Sequence, residues 1–346
     1  METELTERQK LVLALVIRDY IETAQPVGSV SLVERYKLDF SSATVRNDMV
    51  TLTELDYLRQ PHTSAGRVPT EEGYRYFVRQ LMGHTDLPAP TKRTIIHQFY
   101  QAGVDVDRWM HLAASVLAHQ AQAASLITAP HPERVVFKHL ELIRTHGRQV
   151  LMVLVLSGGE VNQQMLSLAE PVSQDQLSAV AQRINQNCAG LAVTAIEGLK
   201  QPSDALEQDI LKLVTTEMQR SIRVVAGELY RDGLTHVLAE PEFGERAFAR
   251  RALRLLEERP LLEDLLSRTV LTDDPGGVQV LIGGEGTWEE LRECSVVLAR
   301  YGAPGLATGT LGVLGPMRMP YGRTISTVRF MAGLLSDLVE DMLTED

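Results

Sequence analysis

The sequence predicts a multidomain α+β protein, and three observations lead to this fold class. Four helix-like stretches and two short apolar stretches fill the first 82 residues. Further along, strand-like runs lie on both sides of a helical stretch at about 173–240. A polar, proline-containing stretch at 83–92 has the composition of a linker between the two parts. The length of 346 residues is enough for two or three domains.

The first segment, residues 1–82, has the order helix, turn, helix, turn, helix, followed by two short strands. Its predicted elements are helices at Thr6–Thr23, Ser29–Tyr36 and Ala43–Leu55, strands at Tyr57–Arg59 and Arg67–Val68, and a helix from about Thr70. Apolar residues at helical spacing predict the helices, and Gln25 to Gly28 predicts the end of the first one. Three helices followed by a two-stranded hairpin make up a winged helix-turn-helix.

The third helix of this segment has two different faces. The helical period puts Val45, Met49 and Leu52 on one side, which we expect to be core. The opposite side carries Ala43, Arg46, Asn47, Val50 and Glu54. In a helix-turn-helix, the first residues of the recognition helix meet base edges in the major groove. The sequence therefore predicts a DNA-contacting face here, although such residues on their own could equally be ordinary solvated side chains.

Specific roles follow from the chemistry of this face. Arginine can bond guanine and asparagine can bond adenine through paired contacts, so Arg46 and Asn47 are predicted to read bases. The side chains of Ala43 and Val50 are small enough to let the helix approach the groove. Two hydroxyls near the helix start are predicted to bond phosphate, namely those of Ser42 and Thr44.

The loop QPHTSAGRVPT, residues 60–70, has two interpretations. A catalytic site would need a nucleophile beside a base that a third group orients, and a hairpin tip offers no buried pocket for one. As a wing, its hydroxyls and backbone N–H groups can bond phosphates, its arginine can pair with a phosphate or enter a minor groove, and its glycine allows close approach or positive φ. We therefore predict DNA contacts by His62, Thr63, Ser64, Gly66 and Arg67.

Charge distribution limits how such binding could work. The formal net charge is −11, and residues 1–82 carry ten basic and twelve acidic side chains. DNA binding would therefore depend on where the charges lie rather than on their sum. Arg75 and Arg79, four residues apart in the fourth helix, are open to two interpretations, a phosphate clamp or solvated side chains.

The rest of the chain predicts an antiparallel sheet interrupted by a helical insertion. A long helix at Arg93–Leu126 comes first. The predicted strands are Val135–Ile143, Val150–Leu156, Val161–Leu168, Val278–Ile282, Ser295–Ala299 and Gly309–Val313. The further predicted helices are Ser173–Cys188, Leu206–Tyr230, Ala247–Leu256, Leu261–Leu266 and Val328–Leu343. The apolar stripe of Leu206–Tyr230 could serve an internal core or a dimer surface.

Composition and motifs exclude several other classes. No stretch reaches the ~20 apolar residues of a membrane helix, and the N-terminus carries no apolar secretion signal. The two cysteines, Cys188 and Cys294, can form neither a disulfide framework nor a four-ligand metal site by themselves. The glycine clusters at 282–286 and 309–316 lack the spacing of nucleotide-binding loops. We therefore expect a cytoplasmic protein that is not an enzyme and has no cofactor or metal.

Three stretches resemble the signatures of one family. They are SSATVRNDMVTLTELDYLRQPHTSAGRVPTEEGYRYF at 41–77, LIGGEG at 281–286 and GTLGVLGPMRMPYGRTI at 309–325. Together they resemble the HrcA family of heat-inducible transcription repressors. The resemblance implies a winged helix at 1–82, a linker at 83–92, a GAF-like domain at 93–172 and 241–346, and an inserted dimerising domain at 173–240.

The resemblance also implies a function. Members of the HrcA family bind an inverted-repeat operator called CIRCE upstream of chaperone operons and release it on heat shock, and the GroE chaperonin assists the active form. We therefore expect double-stranded DNA, a second copy of the chain and the chaperonin as partners, and no membrane. The alternative is a winged-helix regulator controlled by a small ligand in the GAF-like domain, for which the resemblance supplies no ligand residues.

Overall fold

A computed structural model describes residues 5–62, 65–83, 85–132, 135–157, 161–200, 202, 204–223, 229–241, 277–283 and 291–344. The chain forms two compact units. Unit 1 comprises Met1–Ala129, Leu229–Gly302 and Gly309–Asp346, and unit 2 comprises Pro130–Glu228 and Ala303–Thr308. Both units contain antiparallel strands and helices, so the α+β class is confirmed.

Unit 1 begins with the predicted order of helices and short strands. These elements are α1 (Glu7–Thr23), α2 (Ser29–Tyr36), α3 (Ser42–Glu54), β1 (Leu58–Arg59), β2 (Val68–Pro69) and α4 (Glu71–Tyr76). A capping box between Thr6 and Gln9 begins α1, because each residue's side chain bonds the other's backbone N–H. A π-helical turn at Phe77–Leu81 continues α4. Residues 5–82 are called the N-terminal segment below.

The remaining described elements complete both units. They are α5 (Ala89–Ala102), α6 (Val106–Ala121), β3 (Ala124–Thr128), β4 (His131–Pro132), β5 (Phe137–Arg144), β6 (Gln149–Leu156), β7 (Val161–Ser167), α7 (Gln174–Cys188), α8 (Val193–Glu197), α9 (Ala205–Arg223), β8 (Leu229–Asp232), α10 (Leu234–Ala239), β9 (Val278–Ile282), β10 (Cys294–Ala303), β11 (Ala307–Pro316) and α11 (Tyr321–Thr344). The six strands that the sequence predicted are confirmed. The helices predicted at Ala247–Leu256 and Leu261–Leu266 lie outside the described residues.

The main sheet has the strand order β8-β3-β11-β10-β9. Its neighbours pair antiparallel where their register is given, as in Leu311 opposite Ile127 and Ser295 opposite Ile282. Every residue of β3 is buried. Helices α6 and α11 pack against each other, and α6 also packs on β3, so the core of this part lies between the helices and the sheet.

The long helix predicted at Arg93–Leu126 is wrong. Helix α5 begins earlier, at Ala89, and ends before Gly103, which has φ of 69°. Asp105 then caps α6 by accepting a hydrogen bond from the N–H of Arg108 at 3.2 Å. The last part of the predicted helix is strand β3. Alanine-rich composition favours a helix, and pairing within the sheet overrides that preference for Ala124 and its neighbours.

Unit 2 is built on a three-stranded antiparallel sheet, β5-β6-β7, with α7 and α9 packed against its core. Ile210, Val214 and Met218 on α9 are fully buried in this core. These three residues of the stripe of the predicted helix Leu206–Tyr230 therefore serve an internal core, whereas Ile222 and Val225 of the same stripe lie outside the residues whose burial is described, so a dimer surface there stays a prediction. The predicted end of that helix is wrong, because Tyr230 lies in β8, opposite Ile127 of β3.

Candidate nucleic-acid interface

Helix α3 presents one buried and one exposed side. Ser41 begins the helix by accepting a hydrogen bond from the N–H of Thr44 at 3.1 Å. The side predicted to be core is buried, since Val45, Met49 and Leu52 are at most 3% exposed. The residues on the other side are exposed, namely Ala43, Arg46, Asn47, Val50 and Glu54. The predicted orientation of α3 is thus confirmed, while the DNA contacts of this face stay a prediction.

An ion pair that was not predicted from the sequence joins α3 to α1 through a buried carboxylate. The Asp48 side chain is 4% exposed and accepts two hydrogen bonds from Arg8 on α1, at 2.7 and 3.1 Å. Asp48 lies next to Met49 and one turn after Val45, on the apolar side of the helix. A carboxylate there needs a charged partner, because burying an unpaired charge is costly. The aspartate on the apolar side of α3 was therefore the sequence feature that could have indicated an ion pair.

The first turn of α3 offers hydroxyl groups at its surface. Ser42 is partly exposed, and Thr44 Oγ1 lies 2.9 Å from the N-cap hydroxyl of Ser41. The first N–H groups of a helix lack partners inside it, and the helix dipole favours an anion there. The Thr44 N–H already donates to Ser41 Oγ at 3.1 Å, and the phosphate contacts of Ser42 and Thr44 stay predictions.

The hairpin beside α3 places His62 at its tip. Strands β1 and β2 pair antiparallel, with Leu58 opposite Pro69 and Arg59 opposite Val68. The N–H of Ala65 donates to the carbonyl of His62 at 2.9 Å, which closes the turn. The side chain of His62 is exposed. The predicted contact residues Thr63 and Ser64 lie outside the described residues.

Gly66 and Arg67 anchor the hairpin to the turn between α1 and α2. Val27 and Arg67 exchange two backbone hydrogen bonds, of 2.9 and 2.8 Å. A Cβ on Gly66 would lie 2.4 Å from the Val27 carbonyl oxygen, so the position requires glycine for close backbone approach. Arg67 Nε also donates to Thr53 Oγ1 on α3 at 3.0 Å. Both residues thus fix the hairpin beside α3, and their DNA contacts stay predictions.

Several arginines of the N-terminal segment pair with carboxylates of the same segment. Arg35 on α2 pairs with Asp19 and Glu22 on α1. Arg75 on α4 pairs with Glu71 at 3.0 Å and Glu72 at 3.1 Å. The interpretation of Arg75 as a phosphate clamp is therefore not supported, because its side chain is 20% exposed and occupied by these carboxylates.

No described helix has both the length and the apolar character that crossing a membrane requires. Among the described residues, no cluster of three histidine, cysteine or acidic side chains is arranged to hold a metal ion.

Comparison with known proteins gives a consistent result. The family model "HrcA protein C terminal domain" matches residues 107–325. A heat-inducible transcription repressor HrcA from Roseiflexus castenholzii is 46% identical, over 99% of this chain and 96% of the relative. The proteins of the same name from Herpetosiphon aurantiacus and Thermomicrobium roseum are 44% and 41% identical over similar lengths.

A solved structure has a similar fold along almost the whole chain. It is a crystal structure at 2.2 Å resolution of a protein described as hypothetical, with a TM-score of 0.60. The alignment covers 98% of this chain and 99% of that one, at 22% sequence identity. At this identity the similarity concerns the fold alone.

Proposed function

The chain belongs to the HrcA family, and on that premise we propose that it represses the transcription of heat-shock genes by binding DNA through its N-terminal segment. The relatives that cover nearly its whole length are heat-inducible transcription repressors. The observation that carries the proposal is the exposed side of α3, where Arg46 and Asn47 stand beside a short hairpin. On this proposal the chain is a cytoplasmic DNA-binding protein and not an enzyme.

In this proposal, residues 1–82 form a winged helix and α3 is its recognition helix. Arg46 and Asn47 read bases, and Ala43 and Val50 let the helix enter the major groove. Ser42 and Thr44 bond phosphate at the start of the helix. The hairpin is the wing, with contacts to the backbone or the minor groove from its tip and from Arg67. The wing residues so proposed are His62, Thr63, Ser64, Gly66 and Arg67.

We further propose that two copies bind an inverted-repeat operator of the CIRCE type. A two-fold repeat is read by a two-fold dimer, so the chain needs a self-complementary surface. The proposed domains are a GAF-like domain at 93–172 and 241–346 and an inserted dimerising domain at 173–240. The surface that joins the copies is not the α9 stripe of Ile210, Val214 and Met218, which is buried inside unit 2. The GroE chaperonin is the proposed partner that assists the active form.

Footprinting tests the repressor function directly. The purified chain is titrated onto DNA from upstream of its own gene and from a chaperone promoter, at fixed salt. Protection of an inverted repeat, with equal patterns on the two arms, is the expected result. Protection of random sequence at the same concentration, or of nothing, contradicts the proposal.

Heat release is proposed to follow from loss of the dimer. A dimer of marginal stability separates on warming, and paired half-site binding is then lost by mass action. Sedimentation at increasing temperature, with DNA binding measured in parallel, tests this step. A dimer that stays intact at a temperature where DNA is released places the switch elsewhere.

Control by a small ligand is the second candidate function. One observation favours it, a cleft of about 460 Å³ in unit 1 whose lining includes Arg18, Phe77, Tyr321 and Arg323. Its size lies in the range of small-molecule sites, and its lining, which includes two guanidinium groups and the carboxylate of Glu22, would suit a polar ligand. Thermal-shift screening with metabolites separates the candidates, because a specific ligand raises the melting temperature and a repressor that responds only to heat gives no hit.

A further inference from the structure

The two C-terminal motifs, 281–286 and 309–325, have no role in the proposed DNA contacts. In unit 1 their described residues contact the N-terminal segment. The contacts involve two arginines, two tyrosines and a glycine. One arginine belongs to the N-terminal segment and donates to the first motif, and the other belongs to the second motif and donates to the N-terminal segment. These contacts provide a reason for these motifs that is independent of nucleotide or cofactor binding.

Arg75 makes the first contact from the N-terminal segment. Its Nη2 donates both to the backbone carbonyl of Ile282 and to the Glu71 carboxylate, each at 3.0 Å, and its Nη1 donates to Glu72 at 3.1 Å. Next in the chain, Gly283 has φ of 66°, and a Cβ there would lie 2.2 Å from the Glu71 carboxyl carbon. The end of β9 thus accepts Arg75 and makes room for Glu71 through glycine.

Arg318 makes a corresponding contact from the second motif to the N-terminal segment. Its Nη1 donates to the backbone carbonyl of Ile21 at 3.4 Å, and Glu240 pairs with its Nη2. Ile21 lies in the last turn of α1, where carbonyl groups have no N–H partner inside the helix. A guanidinium there also interacts favourably with the negative end of the helix dipole. Arg318 and Arg75 therefore each cap a carbonyl across the same boundary.

A pair of buried aromatic rings makes a third contact between the N-terminal segment and the second motif. The ring of Tyr74 packs on that of Tyr321, with centroids 5.9 Å apart, and both residues are 1% exposed. The Tyr321 hydroxyl donates to the carbonyl of Met317 at 2.6 Å. Having used its one proton, it accepts from the hydroxyl of Ser295 at 2.7 Å. The two hydrogen bonds of its hydroxyl group therefore hold the Tyr321 ring in place, and Tyr74 packs against this ring.

We propose that these contacts form a clamp that fixes the orientation of α3 within unit 1, with Arg75 as a positioning residue for operator binding. The clamp comprises Glu71, Tyr74, Arg75, Gly283, Arg318 and Tyr321. It rests on the proposed function, because it acts when two copies must meet two half-sites at once. A fixed orientation keeps the second recognition helix at a high effective concentration over its half-site, and a loosely tethered one lowers it.

The test compares two duplexes that differ in one arm of the footprinted repeat. One duplex carries the intact inverted repeat, and the other has one arm scrambled, so that only a single half-site remains. Arg75→Met removes the charge and keeps an unbranched side chain. Gly283→Ala disturbs the clamp from the other side without changing any charge. Gly147→Ala is the control, because Gly147 has a similar φ of 58° in unit 2 and nothing within 4 Å of its added Cβ.

Both clamp variants are expected to weaken binding to the intact repeat by about tenfold or more. Their binding to the single half-site should stay within about twofold of the unaltered chain, which also shows that α3 is folded. The control should match the unaltered chain on both duplexes. Adding one or two central base pairs to the repeat should also reduce the affinity of the clamp variants less than it reduces the affinity of the unaltered chain.

Three results overturn the clamp. An equal loss on both duplexes means that Arg75 supports folding or touches DNA itself. No loss on the intact repeat means that the orientation of α3 is set by other contacts, and tighter binding means that the contacts hold α3 away from the operator. Failure of the proposed function looks different, because the unaltered chain would then show no preference for the intact repeat over the scrambled one.

Discussion

Gly66→Ala should destabilise the N-terminal segment whether or not DNA is present. The added Cβ would lie 2.4 Å from the Val27 carbonyl oxygen and 2.9 Å from the carbonyl carbon of Pro26, whereas ordinary contacts begin at 3.4 Å. The hairpin must therefore move by about 1 Å relative to Val27. That movement stretches both Val27–Arg67 hydrogen bonds, now 2.9 and 2.8 Å, beyond useful length.

The cost can be estimated from these two effects. Overpacking of this kind costs about 1–3 kcal/mol, and each lost backbone hydrogen bond about 1 kcal/mol. Because the structure relaxes, the cost of overpacking and the cost of the lost hydrogen bonds do not add in full. Alanine also recovers about 0.4–1 kcal/mol by restricting the unfolded chain. The free energy of opening the segment should therefore fall by about 2–4 kcal/mol.

Native-state hydrogen exchange measures this change without unfolding the whole chain. Amides of α2 and α3 that exchange through opening of the segment should exchange about 30-fold to 700-fold faster. Gly28→Ala is the matched control in the same turn, because its Cβ meets nothing nearer than Ser31 Oγ at 3.5 Å. A Gly66→Ala chain that exchanges like the control but binds DNA more weakly would refute the steric argument and would make Gly66 a residue of DNA approach.

Three further substitutions test the site and the fold. Arg46→Ala should weaken operator binding by about 1–3 kcal/mol and relax the preference at one base position in gel-shift titrations, and unchanged affinity would exclude a base contact. Arg67→Ala should weaken binding to all sequences alike and lower the salt slope by about one, whereas a loss at one base position would indicate base readout by the hairpin. Ile210→Ala should destabilise unit 2 by about 2–5 kcal/mol without changing the oligomeric state in sedimentation, and a folded monomer would place α9 at a subunit boundary.

Periodicity made the N-terminal segment predictable. Helix α3 alternates apolar and polar residues at the helical period, and local turn signals separate it from α2, so both its bounds and its buried side follow from the sequence. The same reasoning could not find the partner of Asp48, because Arg8 lies 40 residues earlier and only the packing of α1 on α3 brings the two together. The role of Gly66 was similarly open until the backbone of Val27 was placed beside it.

Longer-range pairing explains the larger errors. Residues 124–126 and 229–230 were predicted to be the ends of helices, and they instead lie in β3 and β8, which pair with each other. More than 100 residues separate the two strands, so no local pattern indicates the pairing. The alanine-rich run before β3 also hid the helix break at Gly103, whose positive φ is a property of the folded backbone.

The acidic net charge of the chain is compatible with DNA binding because many acidic side chains of the N-terminal segment form ion pairs. Six of its ten acidic side chains form ion pairs with four basic ones: Glu7 with Lys10, Asp48 with Arg8, Asp19 and Glu22 with Arg35, and Glu71 and Glu72 with Arg75. These six acids and four bases together carry a charge of −2, whereas the other four acids and six bases of the segment carry +2. Among the described ion pairs none includes Arg46, Arg59 or Arg67, which lie on α3 and the hairpin. Glu54 shares the exposed side of α3 with Arg46 but is eight residues further along, about 12 Å, which exceeds the screening length of about 8 Å at physiological salt. A phosphate approaching the start of α3 meets the guanidinium of Arg46, and the exposed carboxylate of Asp39, three residues before the helix, is the acidic side chain that opposes it from that end. Local charges of this kind, rather than the net charge of −11, therefore decide whether the segment attracts DNA.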